Sequence, residues 1–186
     1  MCKPLIIPII GKARNGKDTF AKYLKEDLEK NGKEVLIIKY GDYLKFICKE
    51  YFEWNGEKDE KGRNLLQYIG TDLCRSNNEN VWVAVVCELV KGFGNRFNYV
   101  LIPDTRFENE VYYWDKNEFS TFPVKVVRKN EDGSEFDNGL TSEQKRHPSE
   151  TSLDNFKPFY IIEACSLEQL KESAEVIASE IIKNKI

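Results

Sequence analysis

Nine residues near the amino end, Gly11-Lys12-Ala13-Arg14-Asn15-Gly16-Lys17-Asp18-Thr19, have the types and spacing that hold a polyphosphate. They match G-x-x-x-x-G-K-[ST] at every fixed position but the last, where Asp18 stands and Thr19 follows. Glycines let the backbone curl so that successive N–H groups, those of Ala13, Arg14 and Asn15 among them, face phosphate oxygens. A helix starting there adds its positive amino end, and Lys17 reaches the β- and γ-phosphates as a point charge. Asp18 replaces the hydroxyl that usually touches Mg²⁺, and a carboxylate is itself an oxygen ligand for that ion, directly or through water.

Such a loop works only between a buried strand and an amphipathic helix, and the sequence supplies both. Leu5 to Ile10 is a short apolar run suited to a strand covered on both faces, although Pro8 inside it removes a ladder N–H. From Gly16 to Lys30, Phe20, Tyr23, Leu24 and Leu28 recur at helical spacing until Asn31-Gly32. Val35 to Tyr40, closed by Gly41-Asp42, is a second strand, which makes a parallel βαβ unit. Helical stripes follow at Leu65, Leu66, Ile69 and Leu73, and at Trp82, Val83, Val86, Leu89 and Val90. Further strands are predicted at Tyr99 to Ile102 (ending in Pro103-Asp104), Phe122 to Val127 and Phe159 to Ile162. Ser166 with Gln169 reads as a capping box opening a last helix. Lys129 to Ser149 is almost free of large apolar residues, so it is either disordered or a mobile flap.

Nine Tyr, eleven Phe and three Trp among 186 residues provide core for one α/β domain and exclude a long disordered chain. With 28 basic against 31 acidic residues, no global field recruits nucleic acid or an anionic membrane. No apolar run approaches the ~20 residues of a bilayer span, and Met1-Cys2-Lys3-Pro4 lacks the features of a secretory signal. Cys2, Cys48, Cys74, Cys87 and Cys165 are scattered, and the single His147 has no cysteine nearby. That pattern excludes a structural zinc site and suits reduced thiols in a cytoplasmic protein.

Five segments, in order, resemble the phage-type deoxynucleoside monophosphate kinases, a branch of the P-loop kinases. They are the loop with Gly-Lys-Asp-Thr, then Tyr40-Gly41-Asp42-Tyr43-Leu44-Lys45, and Gly62-Arg63-Asn64-Leu65-Leu66-Gln67-Tyr68-Ile69-Gly70-Thr71 with Arg75 and Val81-Trp82-Val83 beyond. The last two are Ile102-Pro103-Asp104-Thr105-Arg106-Phe107-Glu108-Asn109-Glu110 and His147-Pro148-Ser149-Glu150. One departure is Glu163-Ala164-Cys165-Ser166, where such kinases often carry Asn before a Gly-Ser turn. The resemblance implies a P-loop kinase fold, a five-stranded mostly parallel sheet flanked by helices. Within this single domain (1–186) it implies an acceptor-binding helical region at about 42–95 and a mobile lid at about 129–150. The implied reaction moves the γ-phosphate of ATP, with Mg²⁺, to the 5′-phosphate of a (deoxy)nucleoside monophosphate.

The residues take roles accordingly. Gly11, Ala13, Arg14, Asn15, Gly16, Lys17, Asp18 and Thr19 would hold ATP, and Asp18 or Asp104 the Mg²⁺. Asp42 would orient the acceptor or simply cap a helix, with Lys45 beside it. Arg63, Arg75 and Arg106 are candidates to clamp the acceptor phosphate, since a guanidinium matches phosphate bidentately; as plain helix residues Arg63 and Arg75 would be solvated. Gln67 and Trp82 could bond and stack the base, or Trp82 could be core. His147 and Glu150 suit lid closure and substrate contact, and Arg128 is the first choice to reach the phosphates. Partners are small nucleotides, with neither nucleic acid nor membrane, and a homodimer is allowed. The alternatives are a P-loop kinase of another phosphorylated metabolite, like phosphomevalonate or dephospho-coenzyme A kinases, and a nucleotide-binding regulatory module.

Overall fold

All six residues of Leu5–Ile10 are buried, because this run forms the central strand, β1, of a five-stranded sheet. The computed structural model describes residues 3–57 and 59–184, so Cys2 lies outside the described residues. The other strands are β2 (Val35–Ile37), β3 (Tyr99–Thr105), β4 (Val124–Arg128) and β5 (Tyr160–Ala164), in the order β2-β3-β1-β4-β5. All the strand pairings are parallel. Pro8 is tolerated because its missing N–H falls where the β4 side is interrupted. Ile6 bonds there to Ser120 and Phe122, and the β1–β4 ladder resumes only at Ile9 opposite Val124.

Helices cover both faces. Helices α1 (Lys17–Lys30) and α9 (Leu167–Lys183) pack on one, where Phe20, Leu24, Leu28, Leu170 and Ile177 meet Ile7, Ile9 and Val126. On the other, α2 (Tyr40–Tyr51), α5 (Val81–Phe93) and α6 (Asn109–Lys116) bury Tyr40, Trp82, Val86 and Trp114 against Ile6, Val100 and Ile102. Between α2 and α5 the chain runs through α3 (Glu60–Gln67), a π-helical turn (Tyr68–Leu73) and α4 (Cys74–Asn77), over a satellite core of Cys48, Trp54 and Ile69. Gly70 lets Leu44 pack closely on that turn: a Cβ would stand 2.6 Å from Leu44 Cδ2, and the leucine would have to shift. No helix among the described residues is long and apolar enough to cross a membrane.

Two boundaries differ from expectation for one reason. β3 continues through Pro103 and Asp104 to Thr105, while Tyr40 already opens α2, so Gly41 and Asp42 lie in a first helical turn. The Asp104 carboxylate accepts from the N–H groups of Tyr40 (3.1 Å) and Gly41 (2.8 Å), satisfying two donors that a helix start leaves unpaired. The polar segment is folded rather than disordered. It contains α7 (Ser142–Arg146), opened by a capping box of Thr141 and Gln144, and leads into α8 (Pro148–Thr151). Asn138 and Gln144 are buried in it and bond locally to Leu140 and Thr141. At α9 the Ser166 hydroxyl accepts from Gln169 N–H as expected, but Gln169 reaches back to Cys165 N–H, so the box closes one residue early.

Candidate functional site

The turn from β1 into α1 wraps tightly against β4. Gly11 has φ 144°, and a Cβ there would run into the Val126 carbonyl oxygen, which also accepts from Asn15 Nδ2 at 3.4 Å. Gly16 (φ 87°) and Arg14 (φ 61°) are left-handed, the alternation that turns backbone N–H groups toward a common centre. Thr19 lies half-buried in the first turn of α1. Lys17 is 7% exposed, and its ammonium donates to the Lys12 carbonyl at 2.8 Å. Burial, reinforced by the nearby Arg106 charge, pulls its pKa down to about 7.

The loop already carries an anion. Glu150 Oε2 accepts the Ala13 N–H at 2.9 Å, and Glu150 Oε1 accepts Arg106 Nη1 at 2.7 Å. Arg14 Nη1 donates to the Asn138 carbonyl at 2.9 Å, so the 129–150 segment is docked on the loop at a second point. Arg106 was expected on the acceptor side, yet its guanidinium also reaches Gly11 O (3.5 Å) and Ser149 O (3.4 Å), which places it at the loop.

Acidic residues ring the carboxyl ends of the strands. Asp18 is exposed and pairs with Lys39 at 2.6 Å; burial opposes the Lys39 charge, but the Asp18 hydrogen bond and the charges of Asp18, Asp42 and Asp104 raise its pKa on balance. Asp42 pairs with Lys45 at 2.7 Å. Asp104 is half-buried, and the loss of water around its carboxylate raises its pKa, against the N–H groups it accepts from. Each of its oxygens accepts one N–H at the start of α2 and keeps a further lone pair. No group of three or more His, Cys, Asp or Glu side chains gathers to hold a metal among the described residues.

Arg75 is not a solvated helix charge. It is buried, pairs with Glu110 (2.9 Å), donates to Asn109 Oδ1 (2.6 Å) and lies 3.7 Å from the Phe107 ring centroid. Glu110 in turn accepts from the N–H groups of Arg106 (2.7 Å) and Phe107 (3.2 Å). One network therefore fixes the turn after β3. Beside it lies a cleft of ≈ 730 Å³ whose walls include Thr71, Asp72, Arg75, Phe107, Asn109 and Ser152. Arg63 and Gln67 are half-buried on α3.

Trp82 does not present a stacking face. It is 6% exposed in the core, and its indole N–H donates to the Gly70 carbonyl at 2.9 Å, locking the π-helical turn. Trp82→Phe is therefore expected to cost about 1 kcal/mol in urea denaturation and to leave the acceptor KM unchanged. A large KM rise at retained stability would return the ring to the binding site. Arg128, at the end of β4, is exposed and stacks 3.9 Å over Phe136. His147 Nδ1 bonds Ser149 Oγ at 2.9 Å, while its Nε2 points toward Asp72 at 3.8 Å.

No protein-family model matches the chain. The APS kinase CysC of Mycobacterium tuberculosis, in complex with AMPPNP and APS, superposes with a TM-score of 0.50 at 9% identity, covering 98% of each chain. This chain has the P-loop kinase fold. A protein of Acanthamoeba polyphaga mimivirus, named "Putative deoxynucleotide monophosphate kinase", is 27% identical over 187 residues, 85% of this chain and 86% of that protein. The resemblance carried by the five motifs is thus borne out. Within this fold, sequence reasoning missed Lys39 and the tie between Glu110, Arg75 and Arg106. Lys39 could have been found from its place just past β2, where such sheets bind ligands. The Arg75–Glu110 part had no local sequence signal, since the two lie 35 residues apart, whereas Arg106 and Glu110 stand together in one motif.

Proposed function

We propose that this P-loop kinase transfers the γ-phosphate of ATP to the 5′-phosphate of a (deoxy)nucleoside monophosphate. The carrying observation is the seat in which Glu150 lies: a backbone N–H of the loop, the Arg106 guanidinium and the field of Lys17 converge on one carboxylate. Such a seat beyond the carboxyl ends of β1, β3 and β4 suits the donor's polyphosphate. The cleft beside Arg75 and Phe107 suits an acceptor, and the name of the mimivirus relative supports a deoxynucleotide there.

An acceptor phosphate is already ionised at neutral pH, so no strong general base is required. The barrier comes from repulsion between two polyanions and from charge building on the transferred group. Lys17 would hold the β- and γ-oxygens. Arg106, between loop and cleft, would meet the charge that develops between donor and acceptor. Asp18 fits a hydrated Mg²⁺, because its exposed carboxylate follows Lys17 and already stabilises a cation, the Lys39 ammonium. When bound, that ion neutralises phosphate charge as a Lewis acid. Asp104 contributes by fixing the start of α2, which carries Asp42 and Lys45 to the acceptor; Arg63 and Gln67 would complete that side. Arg128 and the lid would shut out water.

ADP release measured with ATP, Mg²⁺ and a panel of dNMPs, NMPs and other phosphorylated acceptors tests the reading. Turnover with at least one nucleoside monophosphate is expected. Turnover confined to a non-nucleotide acceptor would replace it with a metabolite kinase, and nucleotide binding without any turnover with a regulatory module.

A further inference from the structure

Glu150 is seated more firmly than a passing lid contact requires. Its side chain is 8% exposed, and its two oxygens are held at 2.9 and 2.7 Å by the Ala13 N–H and Arg106 Nη1. Its charge also raises the pKa of Lys17. These are the groups a polyphosphate tail would use. A carboxylate and a phosphate oxygen cannot share them, because two anions in hydrogen-bond reach of the same donors repel strongly in a partly buried site. One of the two must leave.

The element carrying Glu150 is short and self-contained. α8 is a single turn, Pro148–Thr151. On its amino side His147 Nε2 is buried with no hydrogen bond and stands 3.8 Å from Asp72 Oδ1. On its carboxyl side Ser152 forms part of the wall of the cleft that Asp72 also lines. Among the described residues the other hydrogen bonds of α8 stay within 147–154, so Glu150 and the Ser149 carbonyl are what tie it to the loop and Arg106. Withdrawing Glu150 therefore frees the Arg106 guanidinium and shifts a wall of the cleft in one movement.

We propose that Glu150 is an internal competitor of the donor nucleotide: α8 keeps a carboxylate in the phosphate loop, and a polyphosphate enters by expelling it, which releases Arg106 and opens the neighbouring cleft. This rests on the reading of the loop as the ATP site and adds its regulation. Coupling of this kind makes the donor the first substrate to bind and keeps Arg106 neutralised until a phosphate replaces the carboxylate.

Calorimetric titration of AMPPNP into the wild-type protein and Glu150→Gln tests it. The glutamine keeps the size but loses the charge, so the variant is expected to bind roughly tenfold more tightly. Hydrogen–deuterium exchange on the wild type alone gives a second reading that no folding defect can spoil: AMPPNP should increase exchange in the 148–151 segment. Equal or weaker binding by a folded variant, or unchanged or reduced exchange in that segment on binding, overturns the competitor role while leaving the ATP site standing. If neither protein binds AMPPNP, the phosphate-loop reading fails and the proposal falls with it.

Discussion

Lys17→Ala is expected to lower phosphate transfer by roughly 10²–10³-fold or more while leaving the protein folded. The side chain is placed in a loop whose geometry is fixed by others: Gly11 against the Val126 carbonyl, Asn15 on the same carbonyl, and Gly16 at the helix start. Its removal therefore subtracts charge from the site without undoing the turn. Stability should respond with a definite sign. Burial holds the native pKa of Lys17 at about 7, below its ordinary value, so the native state binds protons less readily than the unfolded chain. The burial penalty on this group is full below pH 7 and is relieved as pH rises toward the unfolded value. The advantage of the alanine variant over wild type should thus be greatest near pH 6 and shrink above pH 7 in urea denaturation. The same depression predicts proton uptake when a triphosphate binds at pH 8, since phosphate oxygens restore the ammonium. Titration in buffers of different ionisation enthalpy should show that uptake in wild type and none in the variant. An unimpaired variant, or a gap that widens with pH, would sink the account of Lys17.

How much of this was legible beforehand depended on whether the cause of each feature was local. The βαβ start was legible, because apolar runs, helical spacing and the two glycines all lie within forty residues, and each signal is a property of its own segment. Asp104 was recognised as unusual, but its bond to the unpaired N–H groups of a helix far earlier in the chain had no local signal. Trp82 followed the same logic, since its stripe said core and its motif said ligand, and the decision rested on a hydrogen bond to Gly70 across two elements. The 129–149 segment was correctly read as poor in core. Hydropathy, however, has no way to register the polar contacts that dock it, the Asn138 carbonyl on Arg14, the Ser149 carbonyl on Arg106 and Phe136 under Arg128. The anion seat was legible in its loop half only. That its occupant would be Glu150, itself named from the resemblance, is a fact of three-dimensional approach.

Arg75→Ala is expected to be the most damaging substitution outside the loop, costing about 3–5 kcal/mol at pH 8. The two side chains of the Arg75–Glu110 pair are 8% and 4% exposed, so removing the cation leaves a carboxylate in the interior without its counter-charge. Burial already pushes Glu110 up to about 7 against the pull of Arg75, and without that pull it goes higher. A carboxyl raised in the native state binds a proton that the unfolded chain has lost. Stability from this group therefore falls as pH rises from the unfolded value through the native one. In the variant the fall extends to higher pH, so the deficit against wild type should be smallest near pH 5 and largest above pH 8. A deficit independent of pH would show that Glu110 is not the source. Adding Glu110→Gln to the variant should recover much of the loss, because the amide oxygen can still accept from the Arg106 and Phe107 N–H groups. The double variant also separates two roles for Arg75. If Arg75 positions Phe107 and Asn109 along the cleft, the acceptor KM improves together with stability. If the guanidinium itself grips the acceptor phosphate, stability returns and the KM does not. The existing contacts of Arg75 with Glu110, Asn109 and Phe107 favour the first outcome, for a guanidinium already satisfied by a carboxylate, an amide and a ring has little reason to turn outward.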